Sequence, residues 1–192
     1  MVFPGTARQL LGFAWIIFCA YWFIAAFFVS RAVKRQSILG RAGSIALGAI
    51  PYFFLFRNES HHGWLARRFV PDQAWVVITG IALTYAGIAV AIWARVALGR
   101  NWSGTVTIKQ DHQLIRTGPY SVVRHPIYSG LLLALLGTAL AVGETRGLVA
   151  LAGAFLMGIF KARTEERFMI EQFGSQYEDY RKRTKALVPF IL

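Results

Sequence analysis

Acidic residues are scarce in this sequence. Nine Asp and Glu stand against 21 Lys and Arg, for a formal net charge of +12. Cysteine is scarcer still: Cys19 is alone, so no intrachain disulfide can form and the redox compartment is not readable from it. It sits in an apolar run and reads as a small buried hydrophobe. There is no Gly-x-Gly-x-x-Gly and no P-loop, which excludes the usual soluble nucleotide folds. No Ser-His-Asp or Cys-His arrangement stands out. His61 and His62 are adjacent and have no carboxylate or cysteine cluster nearby, so no metal site is expected. The basic residues form no face separate from the apolar runs, so nucleic acid is not an expected partner.

What the chain has in excess is apolar residues. At 56% hydrophobic and a mean hydropathy of +0.47, it is too apolar for a soluble domain of 192 residues. The first uncharged run, Leu10–Val29, is long enough to cross ~30 Å of hydrocarbon. It is longer than the core of a signal peptide and no A-x-A-like site follows, so it reads as a retained span. A second run, Ile38–Phe56, has Arg41 near its start, where a long side chain snorkels to the headgroups. A polar connector, Arg57–Asp72, leads to a third run, Ala74–Leu98, with Arg95 near its end. After the polar stretch Gly99–His125 come two shorter runs, Ile127–Val142 and Gly147–Phe160, which as helices reach only about 24 and 21 Å. Gly143 to Gly147 reads as the turn between them. The remainder, Lys161–Leu192, is charged and reads as a continuing helix that turns at Gly174.

The expected fold is therefore all-α: a polytopic membrane protein of about five spans, the last two a short hairpin, with a helical tail. Residues 1–98 carry three spans and residues 99–192 the chemistry, within one domain. With the N-terminus outside, sixteen of the 21 Lys and Arg fall on the inner side. The rule then places Gly99–His125 and the tail together at the cytoplasmic face, where anionic lipid is attracted.

Two clusters have the residue types for chemistry. In Thr117–Gly130, Pro126 suits the first position of a helix, which puts His125 at its N-cap and Arg124 just before it. A helix N-terminus flanked by two cationic side chains is suited to a carboxylate or phosphate. Gly118-Pro119 makes a turn that aims Tyr120, and Tyr120 and Tyr128 are placed to stack on a planar base. In the second cluster, Lys161 precedes Glu165 by four residues on one helical face, an ordinary ion-pair spacing, and Glu166 follows. Trp102 reads as an interfacial anchor or a lid.

These residues carry a family resemblance. His112-Gln-Leu-Ile-Arg-Thr-Gly-Pro-Tyr120, then Arg124-His-Pro-Ile-Tyr128, resembles the membrane methyltransferases typified by isoprenylcysteine carboxyl methyltransferase. So do Leu98-Gly-Arg-Asn-Trp-Ser103, Arg163-Thr-Glu-Glu166, Phe173-Gly-Ser-Gln-Tyr177-Glu-Asp-Tyr180 and Pro189-Phe190. The similarity covers about half the chain, and phospholipid amine methyltransferases share the same skeleton. It implies S-adenosylmethionine bound between the ends of the last helices and capped by the tail. The implied cofactor contacts are His112, Gln113, Leu114, Ile115, Tyr120, His125, Pro126, Ile127, Tyr128, Glu165 and Glu166. The expected catalytic group, from these residues' own chemistry together with the resemblance, is Arg124, Lys161, Arg163 and Glu165. Lys161 stands where the family has a basic residue near the substrate carboxylate, and a lysine there lacks bidentate recognition. A microbial inner-membrane protein is implied, acting on a lipophilic small molecule or a prenylated substrate.

An ionised carboxylate acceptor needs little acid–base help, so positioning and desolvation dominate. On this reading Arg124 and His125 grip the methionine carboxylate, Glu165 binds the cofactor's polar groups, and Lys161 or Arg163 orients the acceptor. The acceptor enters sideways between the short helices, where Gly130 and Gly137 leave room. The competing readings are an NADPH-dependent membrane reductase of sterol or enone type, a phospholipid amine methyltransferase, and a non-enzymatic scaffold.

Overall fold

A computed structural model describes residues 5–28, 32–35, 63–99, 102, 107–109 and 113–188. The expected second span, Ile38–Phe56, lies outside the described residues, as do His61, His62, His112 and the Pro189-Phe190 motif. The helices are α1 (Gly5–Ala25), α2 (Ala74–Leu98), α3 (Pro126–Val142), α4 (Thr145–Phe173) and α5 (Ser175–Arg183). Of these, α1, α2 and α4 are long and apolar enough to cross a membrane, and α3 is a shorter apolar helix.

The first helix packs along one narrow stripe. Ala7, Leu11, Ala14 and Ala25 are buried, with Trp15, Phe18 and Trp22 partly so, at the three- and four-residue steps that align on a helix. Phe13, Ile16, Ile17, Phe23 and Ile24 are exposed on the remainder, as suits a surface whose solvent is hydrocarbon. Cys19 lies on that outer surface and is exposed, which corrects the expectation of a buried thiol: among the described residues, α1 meets protein along one stripe.

Helices α2 and α3 run antiparallel and almost touch. A Cβ built on Gly87 would lie 2.3 Å from the backbone nitrogen of Ala134, and one on Gly130 would lie 2.6 Å from that of Ala91. Gly80 and Gly137 meet in the same way one step further along. Without a hydrophobic drive between helices in lipid, small residues that admit close backbone contact hold such pairs together. The seam also buries Thr84 and Thr138, whose hydroxyls lie 3.3 Å apart, and Trp15 of α1 donates to the Thr138 hydroxyl at 3.1 Å. The idea that Gly130 and Gly137 leave a path for an acceptor is thereby overturned, because the α2 backbone occupies that space.

At the far end of α3, Gly143 adopts a left-handed conformation (φ +74°), and α4 begins two residues later. The chain entering α2 packs here, with Phe69 N–H donating to Gly143 C=O at 3.0 Å. The last apolar run is not a short helix. It is the first half of α4, whose 29 residues extend without a break through the charged segment to Gly174, where φ is +51°. That length reaches about 43 Å, so the charged half projects past the apolar slab. After α5, residues 184–188 lie alongside residues 123–125, with a parallel bridge between Val123 and Lys185. A two-stranded antiparallel ribbon, β1 (Ala32–Arg35) with β2 (Thr107–Lys109), is a small addition to the all-helical expectation. The C-terminal ends of α1 and α2, the start of α3, the charged half of α4 and the tail all gather at one end of the bundle. The charge count had put the last three on one side.

Candidate active site

The site forms where α3 begins. Gly118 (φ +60°) and Pro119 open a 3-10 turn, Gly118–Ser121, which leads Tyr120 inward. Pro126 is the first residue of α3 and His125 its N-cap, as the sequence suggests. The His125 side chain does not cap the helix. It turns sideways toward α4, where Glu165 and Glu166 sit.

The two carboxylates hold the imidazole from both sides. His125 Nδ1 lies 3.4 Å from Glu165 Oε2, and His125 Nε2 lies 3.2 Å from Glu166 Oε1. Tyr128, one turn into α3, donates its hydroxyl to Glu165 Oε1 at 2.5 Å. Its ring stacks on that of His125 at 5.7 Å and 15°. Burial works against protonation of His125, but the hydrogen bonds it donates to Glu165 and Glu166, together with their charges, outweigh it, so the imidazole holds its proton more tightly than usual. Lys161 lies 5.9 Å above the Tyr128 ring. Among the described residues it makes no ion pair with Glu165, contrary to the helical spacing, because both Glu165 oxygens already face α3.

Arg124 has a different place from the one expected. Its Nε donates to Glu166 Oε1 at 2.8 Å, and its Nη1 donates to the carbonyls of Arg181, at 3.1 Å, and Thr184. These contacts make it a clamp between α4 and the tail rather than an open grip for a ligand carboxylate. The backbone reinforces the clamp: Arg124 N–H donates to Lys185 C=O at 2.8 Å and His125 N–H to Ala186 C=O at 3.0 Å. Ser129 Oγ donates to Leu187 C=O and Tyr180 OH to Tyr120 C=O, each at 2.5 Å. Burial, first of all, pushes the Tyr180 phenol up to about 12, so it remains a donor at neutral pH.

Other expected site residues divide. Pro126 and Ile127 are buried, and Ile127 shares a cluster with Ala94 and Tyr120 that Trp22, Trp102 and Ile115 pack against. The Tyr120 ring is only 6% exposed, so it fills the core and offers no face to a base; Tyr128 alone keeps the stacking place. Leu114 is half-buried and Gln113 exposed. Arg163 is exposed on another face of α4 and is not brought to the cluster. Sequence reasoning gave no role to Arg95, Ser129 or Tyr180. An arginine interrupting a 25-residue apolar helix was the available signal for the first. The three-residue spacing of Tyr177 and Tyr180 on a charged helix was the signal for the last.

A family model for phospholipid methyltransferase matches residues 75–176, the stretch from α2 into α5 that contains Arg124, His125, Tyr128, Lys161, Glu165 and Glu166. The chain belongs to the phospholipid methyltransferase family. It is 29% identical over 121 residues to protein-S-isoprenylcysteine O-methyltransferase B of Arabidopsis thaliana, covering 61% of each protein. It is 36% identical over 102 residues to protein-S-isoprenylcysteine O-methyltransferase of Schizosaccharomyces pombe, covering 51% of this chain and 43% of that one. The chain thus spans about half of the curated relatives it matches. Its fold is also that of a eukaryotic intramembrane Ras methyltransferase, isoprenylcysteine carboxyl methyltransferase, with a TM-score of 0.55 and 22% identity over 83% of this chain and 55% of that one.

Proposed function

We propose that this protein transfers a methyl group to a lipophilic acceptor at the cytoplasmic face of a membrane, and that the acceptor is a carboxylate of isoprenylcysteine type. The observation that carries this reading is the His125, Tyr128, Glu165 and Glu166 cluster at the boundary between apolar and charged halves of α4, within the stretch the family model matches. The cofactor of this reading is S-adenosylmethionine, which when bound supplies an electrophilic methyl on a sulfonium. The donor set fits it. Glu165 offers a carboxylate to a cation or to hydroxyl groups, and the Tyr128 ring already has a cation above it, the Lys161 ammonium. Residues 113–115, Tyr120, Pro126 and Ile127 would contribute backbone and shape, and His112 joins them by motif position.

The roles of the side chains follow from their contacts. His125, whose protonated form is favoured by the two carboxylates beside it, fixes both of them. Arg124 holds the tail against α3, which excludes water from the cluster. Lys161 faces the cluster and orients the acceptor, whereas Arg163 does not. A cation in this place favours an anionic acceptor, which reacts without losing a proton. An amine acceptor, suggested by the name of the family model, would sit beside a like charge. Residues 99–192 form the reacting part and the earlier helices its support, as one functional domain. The expected setting is a microbial inner membrane with the C-terminus inside.

The test is methyl transfer by purified protein from radiolabelled S-adenosylmethionine to an S-farnesylcysteine derivative with a free carboxylate, to the same compound as its amide, and to phosphatidylethanolamine vesicles. Labelling of the first alone supports the reading. Labelling of phosphatidylethanolamine alone moves the acceptor to lipid amines. Labelling of none, with binding of NADPH, returns the protein to the reductases.

A further inference from the structure

Arg95 is a buried cation that the proposed chemistry does not use. It lies near the end of α2 and is 3% exposed. Nη2 donates to Ala25 C=O at 2.8 Å and Nη1 to Gly99 C=O at 2.7 Å, while Nε has no partner. The guanidinium lies 4.4 Å from the centre of the Trp102 ring. Carbonyls and a ring ease its desolvation, but none neutralises the charge. Among the described residues no carboxylate pairs with it. The sequence explains why: there is no Asp or Glu anywhere in residues 1–58 or 73–110, the stretches that contain α1 and α2. An arginine in a span without an acidic partner calls for an anion from elsewhere.

Beside it is a place for one. An open groove of about 270 Å³ runs between the ends of α1 and α2, lined by Tyr21, Ile24 and Phe28 on one side and Arg95, Val96 and Gly99 on the other. Its walls are apolar, and among the described residues Arg95 is the one charged member of its lining. Ile24, Phe28 and Val96 are strongly exposed, so the groove opens toward the surface that faces lipid. The sequence leaving α1 continues into Arg31, Lys34 and Arg35, and Gly99 is followed by Arg100. An apolar groove with a cation in its lining matches a molecule with an apolar chain and an anionic head.

We infer that this groove binds an anionic phospholipid of the adjoining leaflet, its acyl chain between α1 and α2 and its phosphate at Arg95. The inference stands apart from the methyl-transfer reading, since lipid binding is measured without any activity. The experiment supplies dioleoylphosphatidylglycerol and dioleoylphosphatidylcholine in equal amounts to detergent-purified protein and reads retained lipid by native mass spectrometry. The wild-type protein is expected to retain the anionic lipid about tenfold over the zwitterionic one, against the roughly fivefold that one exposed charge supplies. Arg95→Met removes that preference. Val96→Trp fills the groove, leaves the arginine in place and removes it as well, and decides the matter if Arg95→Met does not fold. Arg183→Gln, in the exposed tail, keeps it. Equal retention of the two lipids by wild type, or an undiminished preference in Val96→Trp, overturns the inference.

Discussion

The middle of the bundle and its charged end are held together in opposite ways. In the middle, α2 and α3 meet through glycines with no charge involved, and the fit is so close that a single methyl group has nowhere to go. At the end, a histidine and two glutamates join α3 to α4, and an arginine and a row of backbone hydrogen bonds add the tail. The first is a contact of shape, insensitive to pH and salt. The second is a contact of charge, and its members can change state. A site that must admit and release a polar cofactor is built at the second kind of contact, while the first keeps the scaffold fixed.

The largest effect should come from breaking the shape contact. Gly87→Leu forces a side chain into the Ala134 backbone and should cost about 3 kcal/mol or more, seen as loss of monodisperse protein in detergent. Breaking the charge contact comes next. Arg124→Met removes the guanidinium from Glu166, which keeps His125 as a partner, and should cost about 1.5–3 kcal/mol in docking of the tail. Here the bundle should stay intact while trypsin cuts faster at Arg181, Lys182 and Arg183. An unchanged cleavage rate would remove Arg124 from its role as clamp.

Proton binding sharpens the same contrast. Folding raises the proton affinity of His125 above its ordinary value of 6.5, burial notwithstanding, through Glu165 and Glu166. The stability it contributes is therefore complete below about pH 6.5 and is lost as pH rises through the folded value. Hydrogen exchange of residues 175–187 should quicken from pH 6 to pH 9 beyond the intrinsic change, while that of the α2–α3 seam should not. Tyr180→Phe should have the smallest effect, about 1 kcal/mol on tail docking, because one hydrogen bond to Tyr120 C=O is lost.

The pattern of what the sequence showed follows the same division. Pro126 at a helix start, the turn at Gly174 and the shared face of Lys161 and Glu165 depend on neighbours in the chain, and all were legible. Partners 37 to 60 residues away were not. Nothing local tells Glu165 to choose Tyr128 and His125 over Lys161, or Arg124 to hold the tail. Gly130 and Gly137 were read as space because a glycine looks the same in sequence whether a void or another backbone lies beside it. Cys19 was misread for a related reason: in lipid, an apolar residue need not face the protein interior.

The most direct test of the central claim is the binding of S-adenosylhomocysteine to purified protein by calorimetry, wild type against Glu165→Gln, with tail cleavage by trypsin as the check on folding. The account predicts saturable binding by the wild type and a loss of about tenfold or more in the variant with its tail still docked. Equal binding by both would show that the cluster on α3 and α4 is a structural clamp and that the cofactor is held elsewhere.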